Sequence, residues 1–124
     1  MTEPQELMPE IDRLVHEPAR LAILTVLAAC ERADFLFLER ATGLTRGNLS
    51  VQLTRLEEGG LIEIEKVIVQ KRTLTTAALV RRGRQALDVY WKNMDAMRAR
   101  SIGNQKPSTK PARGLSSKPV PVIG

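Results

Sequence analysis

Side chains able to hydrogen-bond to nucleic acid bases are concentrated in the middle of the chain. Arg46 carries paired donors that match guanine, and the amides of Asn48 and Gln52 each carry a donor and an acceptor that match adenine. The hydroxyls of Ser50 and Thr54 can bond to base edges or to phosphates. Because the solvated face of any amphipathic helix carries similar residues, an ordinary polar surface is the alternative interpretation. The full candidate set in this stretch is Thr45, Arg46, Asn48, Ser50, Val51, Gln52, Thr54 and Arg55.

The distribution of charge indicates which part of the chain would meet a polyanion. The net charge is +5, yet residues 1–65 carry 6 basic and 12 acidic side chains. Residues 66–95 carry 7 basic and 2 acidic side chains, and residues 96–124 carry 6 basic and no acidic ones. We therefore expect a polyanion to meet the second half of the chain. The candidates for contact there are Gln70, Lys71 and Arg72.

The period of the apolar residues predicts that the base-binding candidates lie on a helix from Arg46 to about Glu58. A shorter helix over residues 35–42 precedes it, and Asp34 and Thr45 are the expected N-caps. Gly43 can adopt the left-handed conformation that ends the first of these helices. A short turn containing glycine sets two helices at a steep angle, so that the second helix projects. The buried side of that second helix would be formed by Leu49, Leu53 and Leu56.

Other apolar patterns predict the elements around this pair. Helices are expected over residues 7–15, from Pro18 to about Ala29 and from Arg81 to about Ala99. Between residues 61 and 76 the apolar period changes to two, which predicts a β-hairpin with its tip near Val69 to Arg72.

This order of elements predicts a mainly α fold with a small β-hairpin (α+β), a winged helix-turn-helix with N-terminal and long C-terminal helices over residues 1–101. Residues 102–124 are rich in proline and basic residues, cannot build a core, and are expected to be a disordered tail. The last helix carries more apolar surface than one small domain covers, which predicts a two-fold homodimer. The residues expected at the dimer contact are Leu7, Ile11, Leu14, Leu87, Tyr90, Trp91 and Met94.

Several runs of residues resemble those of a known family. They are His16–Leu24, Ala33–Thr45, Gly47–Ser50, Leu53–Ile62 and Lys71–Arg72. Together they cover about residues 10–95 and resemble the winged helix-turn-helix regulators related to the MarR and ArsR groups. The resemblance implies a dimeric repressor or activator of transcription that binds duplex DNA. Helix 46–58 would lie in the major groove, and the wing, about residues 66–76, would contact the backbone or minor groove.

Two stretches depart from the pattern of that family. Where such regulators often carry Thr-Pro-Glu-Gly before the last helix, this chain has Val80-Arg81-Arg82-Gly83, which removes a capping hydroxyl and adds positive charge. Where an aromatic and a basic residue often end the second wing strand, this chain has Ala77 and Ala78. The second departure leaves the packing of the wing open.

The sequence argues against several other classes of protein. One cysteine and one histidine are too few for a structural zinc site, so no metal and no cofactor are expected. No nucleophile–base pair and no glycine-rich phosphate loop can be named, so we expect no enzyme. A long apolar run and an N-terminal signal are absent, which suggests a cytoplasmic protein. Cys30 is expected to be a small hydrophobe, with a redox sensor as the alternative.

Two further functions remain as alternatives. A winged helix that docks another protein would suit the net acidic first half of the chain. A winged helix that binds RNA is disfavoured because the basic segments lack aromatic residues for stacking on bases. The operator, the regulated genes and any small-molecule effector stay open.

Overall fold

The computed structural model describes residues 11–103, so Leu7 and most of the predicted tail, residues 104–124, lie outside the described part. Within it, the helices from Pro18 onward and the two strands of the hairpin follow one another in the predicted order, and the α+β winged helix-turn-helix is confirmed. The elements are α1 (Pro18–Ala28), β1 (Ala33–Asp34), α2 (Phe35–Thr42), α3 (Arg46–Glu58), β2 (Ile62–Val69), β3 (Arg72–Leu79) and α4 (Arg81–Gly103).

The core is aliphatic, as expected for a chain with only 3% aromatic residues. Helix α1 lies in the middle and packs against α2, α3, α4 and β3. The leucines predicted to form the inner side of α3 are all buried. This burial leaves the polar residues of α3 on its opposite side, away from the core. The largest fully buried side chains are Val15, Ile23, Leu24, Leu27, Leu38, Leu49 and Leu56.

The helix predicted over residues 7–15 is wrong for the residues that are described. Residues 13–15 form a turn in which the Asp12 carbonyl accepts hydrogen bonds from the N–H groups of Val15 and His16, at 3.1 and 2.8 Å. The Asp12 carboxylate also accepts from the N–H of Leu14 at 2.9 Å. Such a local side-chain bond offers the backbone an alternative to a helix. Within residues 11–103 the first helix therefore begins at Pro18.

The strands form a three-stranded antiparallel sheet in the order β1-β3-β2. The hairpin register pairs Val69 with Arg72, so the tip lies where the sequence predicted it. Strand β1 was not predicted, because two residues are too few to show a period. It pairs Ala33 with Ala77, and both side chains are buried. The alanines at the end of the wing thus serve the packing of a third strand.

Helix α4 starts directly after β3 and comes very close to the residue before β2. A Cβ built on Gly83 would lie 2.0 Å from the carbonyl oxygen of Leu61. That same oxygen accepts a hydrogen bond from the N–H of Val80 at 3.1 Å. Glycine is therefore required at position 83 by this approach. The helix continues to Gly103, beyond its predicted end near Ala99 and beyond the predicted start of the tail at residue 102.

Candidate nucleic-acid interface

The turn between α2 and α3 sets the direction of the candidate interface. Gly43 has a φ of +75° and ends α2, with its N–H donating to the Glu39 carbonyl at 3.0 Å. Thr45 caps α3, and its hydroxyl accepts from the N–H of Asn48 at 3.1 Å. Both end signals are local, which is why the sequence predicted the bounds of α2 and α3 correctly.

The outward side of α3 carries nearly all of the predicted base-binding residues. Since the leucines of this helix are buried, the remaining positions are directed to solvent. The residues found exposed are Thr45, Arg46, Asn48, Ser50, Val51, Thr54 and Arg55. The predicted set is therefore brought onto one accessible surface, with the exception of Gln52.

Gln52, which was predicted to contact DNA, lies at the edge of this surface and bonds to neighbouring side chains of the protein. It is half-buried, and both ends of its amide are used inside the protein. Its Oε1 accepts from Nη1 of Arg20 at 2.9 Å, and its Nε2 donates to Oδ1 of Asn48 at 3.0 Å. Arg20 was missed by the sequence analysis. The available signal was a single arginine within the otherwise mostly apolar helix α1.

Arg46 lies at the first position of α3, where the positive end of the helix dipole disfavours a cation. Its Nη2 lies 3.8 Å from Oε1 of Glu39 on α2. That carboxylate oxygen is buried and makes no hydrogen bond with any residue between 11 and 103. Glu39 therefore offsets part of the unfavourable dipole interaction, while the guanidinium itself stays 76% exposed and accessible to a ligand.

The wing lies beside α3 and adds positive charge to it. Gln70, Lys71 and Arg72 are exposed at its tip, as predicted. Lys66, which the sequence analysis did not single out, lines a cleft of about 360 Å³ together with Ser50 of α3. The sequence signal that could have identified Lys66 is the strand period of two over this stretch. This period places Lys66 on the same side of β2 as Ile64, which also lines the cleft.

The carboxylates of the wing lie on the other side of β2. Glu63 and Glu65 alternate with Ile62 and Ile64 along the strand. Both acidic side chains pair with Arg32, whose Nη2 bonds to Glu63 and whose Nη1 lies 3.5 Å from Glu65. Arg32 thus compensates one of these two negative charges, on the side of β2 away from the cleft.

The apolar residues predicted at a dimer contact fall into two groups. Leu87 and Tyr90 are buried in the core of the protomer itself, at 5% and 3% exposure, so they are not available to a partner. Ile11, Leu14 and Met94 are half-buried against the same core. Trp91 is 42% exposed, and the neighbouring Val89, which was not predicted, is 54% exposed. Val89 and Trp91 are therefore accessible apolar residues of α4, and they lie about 200° apart around the helix because they are two positions apart.

The remaining residues that the sequence analysis considered, Cys30 and His16, lie within the folded protein. Cys30 is half-buried just after α1. His16 bonds to the hydroxyl of Tyr90, with its Nδ1 at 2.9 Å. Between residues 11 and 103, no group of three or more His, Cys, Asp or Glu side chains is placed to hold a metal ion. The described helices also include none with the length and apolar character needed to cross a membrane.

Comparison with known proteins assigns the fold to a family. The model of the winged helix DNA-binding domain matches residues 19–97, and the chain belongs to that family. An uncharacterized protein of Methanocaldococcus jannaschii is 32% identical over 78 residues, which cover 63% of this chain and 85% of that protein.

Solved structures of transcriptional regulators share the same architecture. A transcriptional regulator homologue from Pyrococcus horikoshii OT3 is 26% identical, with a TM-score of 0.71, over 82% of this chain and 99% of that one. A MarR-family transcriptional regulator from Silicibacter pomeroyi is 25% identical, with a TM-score of 0.58, over 82% of this chain and 67% of that one. The predicted relation to MarR-type winged helix regulators is confirmed.

Proposed function

We propose that this chain is a sequence-specific regulator of transcription that binds duplex DNA as a homodimer. Helix α3 lies in the major groove in this proposal, and the wing tip contacts the adjacent backbone or minor groove. The observation that carries the proposal is the placement of the exposed polar side of α3 next to the basic wing. Arg46 and Lys66 lie at either end of this combined surface.

Charge supports the same direction of approach. Within the wing, Lys66 faces the cleft beside α3, whereas Glu63 and Glu65 pair with Arg32 on the opposite side. A phosphate backbone that approaches the cleft would therefore meet Lys66 on the side of the wing, while Glu57 of α3 lines the same cleft. Exposed Glu57 and Glu58 at the end of α3 favour contact through the first part of the helix.

The homodimer is proposed from the accessible apolar residues of α4. Val89 and Trp91 are large hydrophobic side chains that the protomer leaves substantially exposed. A second copy that covers Trp91 through a two-fold axis would set two α3 helices apart, and half-sites about one DNA turn apart are typical of such dimers.

The test separates base recognition from phosphate contact. A preferred duplex is first obtained by selection from a random pool, and Ser50→Ala and Arg72→Ala are then compared on this duplex and on a scrambled one at two salt concentrations. Loss of a base contact at Ser50 should cost about 1–3 kcal/mol on the preferred duplex alone. Loss of a phosphate contact at Arg72 should weaken binding to both duplexes and lower the salt slope by about 1. If both variants bind both duplexes as the parent does, neither surface contacts DNA.

One observation favours docking to another protein as a second candidate function. Leu36 and Phe37 are adjacent on α2 and are about half exposed. An apolar pair at the surface is typical of contacts between proteins. Leu36→Ser should leave DNA binding unchanged under the first proposal, whereas failure of the parent to bind any duplex would favour the second.

A further inference from the structure

A chain of hydrogen bonds runs from the interior of the protein to the exposed side of α3. It starts at Arg20 on α1, whose side chain is 11% exposed. The Arg20 Nε donates to the carbonyl of Leu14 at 2.6 Å, and its Nη2 donates to the carbonyl of Arg13 at 3.3 Å. These bonds hold the guanidinium so that Nη1 meets Oε1 of Gln52 at 2.9 Å.

The chemistry of Arg20 determines the orientation of both amides that follow it. A guanidinium carries donors and no acceptor, so the atom of Gln52 that faces it must be the carbonyl oxygen. The amino group of Gln52 is then directed to Asn48, at 3.0 Å. The atom of Asn48 that faces an amino group must in turn be its oxygen, Oδ1. One lone pair of Oδ1 is thus used and Oδ1 is directed to Gln52, whereas both hydrogens of Nδ2 remain for a ligand among residues 11–103, so the amino group is the better placed to meet DNA.

We propose that Arg20 and Gln52 determine base specificity by holding Asn48 as a hydrogen-bond donor toward DNA. This inference rests on the proposed function. Asparagine commonly pairs with adenine by presenting an acceptor and a donor together. With Oδ1 engaged by Gln52, the two hydrogens of Nδ2 match guanine better, because guanine presents the two acceptors O6 and N7 in the major groove. Asn48 thus selects guanine over adenine.

Reversing the donor at Gln52 tests the proposal. In Gln52→Glu both side-chain oxygens are acceptors, so one still meets Arg20 while the other accepts from Nδ2 of Asn48. The Asn48 amide then turns over and presents Oδ1 to the DNA. Oδ1 matches bases that carry an exocyclic amino group in the major groove, which are adenine and cytosine. The base preference at one position of the site should change from guanine to adenine or cytosine.

The experiment is selection of bound duplexes from a random pool, carried out in parallel for the parent and each variant. Asn48→Ala identifies the position that Asn48 recognises, because the preference there is lost. At that position, Gln52→Glu should change the ratio of guanine to adenine or cytosine by about fivefold or more. Gln52→Leu keeps the size of the side chain and removes both bonds, so it should relax the preference without reversing it. Thermal unfolding of each variant confirms that it is folded, and Gln52→Leu alone suffices should the charged variant not fold.

Gly47→Glu is the matched control, since it adds the same charge to the exposed side of α3 at a position outside the base-binding candidates and without touching the chain of hydrogen bonds. It should weaken binding to all duplexes and leave the preferred base unchanged. The inference is overturned if Gln52→Glu and Gln52→Leu both retain guanine at the position assigned to Asn48. It is also overturned if Asn48→Ala changes no position or if the parent prefers adenine there. Failure of the parent to enrich any sequence would instead reject the proposed function itself.

Discussion

The Nδ1 of His16 lies 2.9 Å from the hydroxyl oxygen of Tyr90, a residue 74 positions further along the chain. The two rings are also in contact, with centroids 5.7 Å apart and planes tilted by 39°. His16 belongs to the turn before α1, and Tyr90 is buried in α4. This pair therefore connects the N-terminal part of the described chain to the helix that we propose to form the dimer.

Removal of the Tyr90 hydroxyl should reveal the contribution of this pair to stability. Tyr90→Phe keeps the buried ring and should lower the free energy of unfolding by about 1 kcal/mol, the usual value of one hydrogen bond. Tyr90→Ala also empties part of the core and should cost about 3 kcal/mol or more. Urea denaturation measures both. The double variant His16→Ala/Tyr90→Phe should lose less than the sum of the two single variants, and full additivity would show that the bond contributes nothing.

Two glycines should respond in opposite ways to replacement by alanine. Gly83→Ala places a Cβ 2.0 Å from the Leu61 carbonyl oxygen, a backbone atom that cannot move without disturbing the hydrogen bond to Val80. The variant should be destabilised by more than about 4 kcal/mol or fail to fold. Gly47→Ala meets no atom within 4 Å and should stabilise α3 by roughly 0.5–1 kcal/mol. Thermal unfolding of the two variants under the same conditions is the measurement. Equal stability of Gly83→Ala and the parent would show that α4 does not approach the Leu61 carbonyl as closely as described.

The turn of the wing holds two residues in an unfavourable backbone conformation. Gln70 and Lys71 have φ values of +52° and +67°, the left-handed region that glycine and asparagine tolerate best. Replacing the pair by Asn-Gly should raise stability by about 1 kcal/mol and, under the proposed function, weaken DNA binding through the loss of the Lys71 charge. Gln70→Asn alone keeps that charge and should stabilise the protein without changing the salt dependence of binding. Equal DNA affinity and equal salt dependence in all three proteins would remove Lys71 from the interface.

The proposed homodimer is tested at the exposed ring on α4. Trp91→Asp places a charge on the apolar surface and should convert the dimer to a monomer, with weaker binding to a site of two half-sites. Light scattering at tens of micromolar, as an order of magnitude, measures the change. Lys92→Ala alters the neighbouring exposed residue and should leave the dimer intact. A monomeric parent protein at this concentration would contradict the proposal.

Sequence alone was sufficient at the ends of α2 and α3, where the signals act within a few residues. Asp34 and Thr45 each bond to an N–H three residues ahead, and Gly43 ends α2, so the bounds of α2 and α3 could be predicted from local chemistry. The buried leucines of α3 follow from the helical period, which also places the base-binding candidates on the opposite side. The position of the wing tip followed from two β-prone runs on either side of it.

The tertiary structure alone decided what depends on residues that are far apart in the chain. The role of Gln52 changes because Arg20, 32 positions earlier, faces it. The two-residue strand β1 exists because Ala33 pairs with Ala77, which is 44 positions further along the chain. Leu87 and Tyr90 are buried because α4 packs on the core of its own protomer. A helical or strand period states which side of an element is apolar, but it does not state which neighbour covers that side. Those assignments depend on how the elements pack, and local sequence does not contain that information.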